Sequence, residues 1–145
     1  MILYLDTSAW VKLYVREPGS KELRTHAIKA EAMAVSVVAY PEARAAFARL
    51  KAQGISTEAK HQQRLAQLNL DWENLLHIEL VPAVVRTAGD LAEVYGLRGF
   101  DSIHLASALW LKEKTSVPLH FAVFDQRLRA AAERAGLMVA VIRVT

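Results

Sequence analysis

The sequence predicts an α/β fold, a three-layer sandwich whose central parallel sheet of four to five strands is flanked by helices. Two observations carry this. Short apolar runs alternate with amphipathic helical stretches from end to end. One helical stretch, residues 100–114, is apolar nearly all round (Ile103, Leu105, Ala106, Ala108, Leu109, Trp110, Leu111), as a centrally buried helix is. No linker, repeat or low-complexity segment breaks the alternation, so residues 1–145 are read as a single domain.

The elements follow in order. Ile2 to Leu5 reads as a strand ending at Asp6, and Ser8 to Val15 as a short helix stopped before Pro18-Gly19. Ser20 to Ala30 is a charged helix, and Met33 to Val38 a β-branched strand. Ala39 to Gln53 is a helix with Pro41 in its first turn, where proline is tolerated. Its residues Ala43, Phe47 and Leu50 recur at helical spacing. Ser56 or Thr57 caps a longer helix running to Leu76, with Leu65, Leu68, Trp72, Leu75 and Leu76 as one stripe. The short connection at Gly54 pairs these two helices as an antiparallel hairpin. Ile78 to Val81 is a strand stopped by Pro82, and Ala83 to Tyr95 a helix stopped by Gly96. After the apolar helix come a strand at Leu119 to Phe124, a helix at Gln126 to Ala135 closed by Gly136, and a last strand at Val139 to Val144.

Composition narrows the function. The chain is 53% hydrophobic and 23% charged, a globular balance. It has no Cys, which excludes disulfide scaffolds, thiolate metal sites and Cys nucleophiles. No secretory leader and no apolar run of about 18 residues is present, so a cytoplasmic chain without membrane contact is expected. A net charge of +3 is compatible with a nucleic-acid partner.

Ligands of parallel α/β sheets sit beyond the carboxyl ends of the strands. Four acids fall at such junctions: Asp6, Glu42, Asp101 and Asp125. Each alone reads as a helix cap or a first-turn acid that complements the helix dipole. Together they would converge on one cleft and repel. Two carboxylates ~4 Å apart cost about 4 kcal/mol at an effective dielectric of 20. All-oxygen ligation of that kind suits Mg²⁺ or Mn²⁺.

The segments LDTSAWVKLY, AYPEARAAF, GFDSIHLASAL and FDQRLRAAAERAGL occur in this order. Together they resemble the four acidic motifs of the PIN domain, most of all those of VapC-type toxins, over essentially the whole chain. The resemblance implies a metal-dependent endoribonuclease, the toxin of a toxin–antitoxin pair. It also implies a homodimer, a small cognate antitoxin protein as partner and RNA as substrate. Carried over, the catalytic quartet is Asp6, Glu42, Asp101 and Asp125. Asp6, Asp101 and Asp125 would hold the metal, and Glu42 would hold or deprotonate the attacking water. The hydroxyl that follows the first acid in the family matches Thr7 or Ser8. Implied products carry a 5′-phosphate and a 3′-hydroxyl. Val123 stands where members often have Thr or Ser, and Gln126 and Arg127 stand where some have a further acid.

The residues also leave other readings open. A Mg-dependent phosphatase wants a second Asp two residues after the first, where Ser8 stands, and a receiver wants adjacent acids. A catalytically silent fold that only binds RNA or protein is the remaining alternative. Arg44, Arg98 and Arg127 lie within three residues of a quartet acid and are candidate phosphate contacts, as are Lys12 and Arg16. His104, one turn after Asp101, either packs or orients a ligand. Trp10, Tyr14 and Trp72 either fill the core or extend a partner groove.

Overall fold

Four consecutive apolar residues, Ile2–Leu5, form β1, and all four are buried, as a strand covered on both faces requires. In the computed structural model, which describes residues 1–143, β1 is the middle of a five-stranded sheet. On one side lie β2 (Ala32–Ser36) and then β3 (Leu76–Ile78). On the other lie β4 (Leu119–Ala122) and then β5 (Met138–Val139). Every pairing is parallel. The helices are α1 (Thr7–Lys12), α2 (Ser20–Lys29), α3 (Ala39–Ala52), α4 (Glu58–Trp72), α5 (Pro82–Tyr95), α6 (Gly99–Lys114) and α7 (Gln126–Arg134). The sandwich expected from the sequence is the one observed.

Alternation along the strands divides the core in two. Leu3, Leu5, Val35 and Ala122 face Trp10 of α1, Leu23 of α2, Phe47 of α3 and Leu68 of α4. Tyr4, Ala34 and Phe121 face Leu105 and Ala108 of α6 and Leu128 and Ala132 of α7. Val84 and Ala88 of α5 close on Ala106 at the back of α6. Trp10 is only 1% exposed, packed near Tyr14 and Trp72. It belongs to the core and not to a partner groove.

Several boundaries differ from the sequence reading, each for a tertiary reason. α4 ends at Trp72, not Leu76, because Leu76–Ile78 leaves the helix to pair with Ala34–Ser36. The strand expected at Ile78–Val81 therefore lies earlier, and Pro82 instead opens α5. Leu76 is 42% exposed and drops out of the α4 stripe. β2 stops at Ser36, whose hydroxyl accepts from the Val38 N–H as the chain turns into α3. β4 stops at Ala122. The last strand is two residues, Met138–Val139, paired with His120 and Phe121 of β4. Val144, the expected end of that strand, lies outside the described residues.

One turn constrains its residue type. Gly19 sits at φ 91°, and a Cβ there would lie 2.5 Å from Cε1 of Phe124. Glycine thus lets the start of α2 press against the residue that precedes Asp125.

Candidate active site

The strand order reverses between β1 and β4, since the chain leaves β1 toward β2 and returns to the other side for β4. That switch point opens a crevice beyond the strand ends. Asp6 directly follows β1, and Asp125 lies just beyond β4. Both are helix N-caps as well. Asp6 Oδ1 accepts from the Ala9 N–H at 2.8 Å, and Asp125 Oδ2 from the Leu128 N–H at 2.8 Å. The capping role and the site role are therefore compatible. Capping fixes each carboxylate by one oxygen and leaves the other. Asp101 and Glu42 stand in the first turns of α6 and α3, so helix N-termini help offset the gathered negative charge.

All four acids line one cleft of about 870 Å³, together with Thr7, Ser8, Glu17, Arg49, Arg98, Phe100 and His104. Asp6 is 5% exposed. Burial pushes its carboxyl above the ordinary aspartate value, and the charge of Asp101 adds to this. His104, the Ala9 N–H and the Ser8 hydroxyl oppose the shift. Ser8 donates to Asp6 Oδ1 at 3.1 Å. Thr7 serves a different acid, donating to Glu42 Oε1 at 2.5 Å. The two hydroxyls after Asp6 thus divide between two carboxylates.

His104 is the residue whose weight the sequence hid. Its ring is buried, with Nε2 3.1 Å from Glu42 Oε1 and 3.0 Å from Thr7 Oγ1. Nδ1 is 3.1 Å from the Tyr4 hydroxyl. Burial would raise the Glu42 carboxyl, but the hydrogen bonds from His104 and Thr7 outweigh it and hold Glu42 below the ordinary glutamate value. Glu42 is accordingly ionised at neutral pH. Burial drives the Tyr4 phenol far above its usual value, so it stays protonated.

The PIN domain family profile matches residues 3–134. The chain belongs to the PIN domain family. Within it, the chain is 38% identical over 143 residues to Ribonuclease VapC45 of Mycobacterium tuberculosis, covering 96% of this chain and 94% of that one. Solved structures share the fold at lower identity. VapBC2 of Rickettsia felis, solved bound to a DNA fragment from its promoter, gives a TM-score of 0.66 at 16% identity, covering 99% of this chain and 100% of that one. FitAcB of Neisseria gonorrhoeae gives 0.65 at 21%, covering 96% of each.

Around the quartet of this PIN domain the basic residues sort themselves. Arg98 Nε lies 3.3 Å from Asp101 Oδ2 while its side chain is 84% exposed, a pair too solvated to lock it in place. Arg44 does not line the cleft. Its guanidinium donates to the Tyr40 hydroxyl and lies 5.7 Å from the centre of that ring. Arg49 takes the place expected of it. Glu42, Ala46 and Arg49 fall at i, i+4 and i+7 of α3, one face of the helix, and that spacing is the signal by which Arg49 could have been found. Arg127 reaches the Gly96 carbonyl, and Lys12 pairs with Glu17.

Among the described residues, no three acid or imidazole groups already converge as a closed cage. The donor set nonetheless fits a hard divalent cation that keeps several waters and takes only one or two carboxylates directly. Asp6 and Asp101 are close enough for their charges to interact. Both hydrogen bonds to Asp6 land on Oδ1, so Oδ2 is the oxygen available for such an ion. No helix among the described residues is long and apolar enough to cross a membrane.

Proposed function

We propose that this chain is a metal-dependent endoribonuclease, the toxin of a toxin–antitoxin pair. The observation that carries the reading is the gathering of four carboxylates at the sheet's switch point, with a desolvated Asp6 beside Asp101. Asp6 and Asp101 would hold a Mg²⁺ or Mn²⁺ ion, with Asp125 completing its shell directly or through water. When bound, such an ion supplies Lewis acidity to the scissile phosphate and the attacking water. Glu42, ionised and anchored by Oε1, presents Oε2 to that water. Its lowered pKa suits orienting the water more than acting as its final proton acceptor. The water attacks phosphorus in line and the 3′ oxygen leaves, giving a 5′-phosphate and a 3′-hydroxyl without use of the 2′-OH. Arg49 and Arg98 flank the cleft as phosphate contacts. Phe100, 56% exposed on its rim, offers a face on which an unpaired base can stack.

End-labelled single-stranded RNA incubated with Mg²⁺ or Mn²⁺ should be cut, leaving 5′-phosphate ends, and excess chelator should stop the cutting. Cleavage undiminished in chelator refutes the metal. Binding without cleavage in either ion favours the silent-fold alternative.

A cognate antitoxin protein and a homodimer belong to the same proposal. The support is that related folds have been solved as VapBC complexes. Light scattering of the purified chain at high concentration should report a mass of twice 16.1 kDa, and a strictly monomeric species would contradict it.

A further inference from the structure

We infer that Tyr4 and His104 form a relay that presents one fixed N–H to Glu42, which makes both of them positioning residues of this site. The inference rests on the ribonuclease reading above, in which Glu42 handles the attacking water.

Counting protons gives the direction of each bond. Thr7 has a single hydroxyl proton, and its 2.5 Å contact with Glu42 Oε1 takes it. Toward His104 Nε2, 3.0 Å away, Thr7 Oγ1 can then only accept. The Glu42 carboxylate, 3.1 Å from the same nitrogen, also only accepts. Nε2 must therefore carry the hydrogen, shared between the two oxygens. In the neutral imidazole the other nitrogen is then a bare acceptor. Among the described residues, the one hydrogen-bond partner of Nδ1 is the Tyr4 hydroxyl at 3.1 Å, which donates to the neutral ring. The chain of donation runs from Tyr4 to His104 to Glu42.

The burial of the relay keeps it in place. Tyr4 is fully buried on the central strand and His104 is 2% exposed. The phenol ring is held by Phe121 at 5.4 Å between centroids. A buried polar chain of this kind is rigid when every member is satisfied. Its consequence is asymmetry at the carboxylate. Among the described residues, Oε1 receives two donors, from Thr7 and His104, and Oε2 receives none. The relay therefore selects which oxygen of Glu42 meets the water. The ring also ties together β1, α1, α3 and α6, which carry or adjoin Asp6, Glu42 and Asp101.

The test has two parts on the full chain. Long-range ¹H–¹⁵N spectra in chelator should show His104 protonated on Nε2, with Nδ1 bare and hydrogen-bonded. In Tyr4→Phe the Nδ1 signal should move to that of an unbonded bare nitrogen, with the Nε2 proton retained. A wild-type His104 protonated on Nδ1 overturns the relay. In RNA cleavage, His104→Leu should lower kcat about tenfold or more with KM changed less than twofold, in line with losses of about 10–100-fold when a hydrogen-bond partner behind a site residue is removed. His104→Gln, which keeps an N–H donor, should recover part of that loss. Tyr4→Phe, nearly isosteric, should lower kcat several-fold. Thermal melts confirm that each variant is folded. Wild-type kcat in His104→Leu, or a loss confined to KM, overturns the inference. If the wild-type chain cuts no RNA at all, the ribonuclease reading fails while the spectra still decide the relay.

Discussion

Asp101→Asn and Asp6→Asn are each expected to reduce RNA cleavage by about 10²-fold or more while the chain stays folded. A metal ion contributes several kcal/mol of charge stabilisation in a transition state, and each 1.36 kcal/mol is tenfold in rate. Removing one charged ligand forfeits much of that. The two variants should differ in stability. Asp6 is buried and its carboxyl is raised above the ordinary aspartate value, chiefly by burial. Keeping it ionised thus costs folding energy at any pH above the ordinary value of about 3.9. Asp6→Asn removes that cost and keeps the cap, because Asn caps a helix as well as Asp does. In chelator at neutral pH its Tm should exceed the wild type. The gain should fade as the pH falls from the raised folded-state value toward the ordinary aspartate value, because the wild-type carboxyl is neutralised in the fold before it is in the unfolded chain. Wild-type cleavage by either variant in Mn²⁺ would remove that residue from the site. A lower Tm for Asp6→Asn would contradict the burial argument.

The second large effect lies behind the site. Trp10→Ala should destabilise the fold by about 3–5 kcal/mol, the usual range for emptying a buried aromatic position. That is a large share of a total stability of roughly 5–15 kcal/mol. Trp10 is 1% exposed, packs with Tyr14 and Trp72, and lies on the same helix as Thr7 and Ser8. A urea melt should show the midpoint falling sharply, and cleavage at 37 °C should fall with it. Trp10→Phe, which leaves a smaller void, should lose less. An unchanged midpoint in Trp10→Ala would mean that the cluster can collapse into the space.

The quartet was legible because acids at strand–helix junctions are local features, and a parallel sheet puts those junctions on one edge. The helices were legible because their apolar positions repeat. Strand ends were not, because they depend on which neighbour is there to pair with. Leu75 and Leu76 continue the apolar stripe of α4, yet pairing with Ala34 draws Leu76 into β3. Arg44 and Arg49 are both near Glu42 in sequence, but only Arg49 shares its helix face. His104 stands one turn from Asp101, whereas its partner Tyr4 lies 100 residues away, and no spacing rule connects them.

The central position of β1 also fixes when the site can exist. Its partner on one flank is β2, about thirty residues on, but on the other flank Ile2 pairs with Leu119 and Leu5 with Ala122. At a synthesis rate of about 5–20 residues per second, about 6–23 s separate the two halves of that pairing. A nascent chain that has passed residue 101 but not reached residue 119 carries Asp6, Glu42 and Asp101 but lacks both the strand that closes that flank of β1 and Asp125. The cleft is thus completed only after Asp125 has been made and β4 has paired with β1, so a shorter nascent chain carries some of the acids but not the finished site.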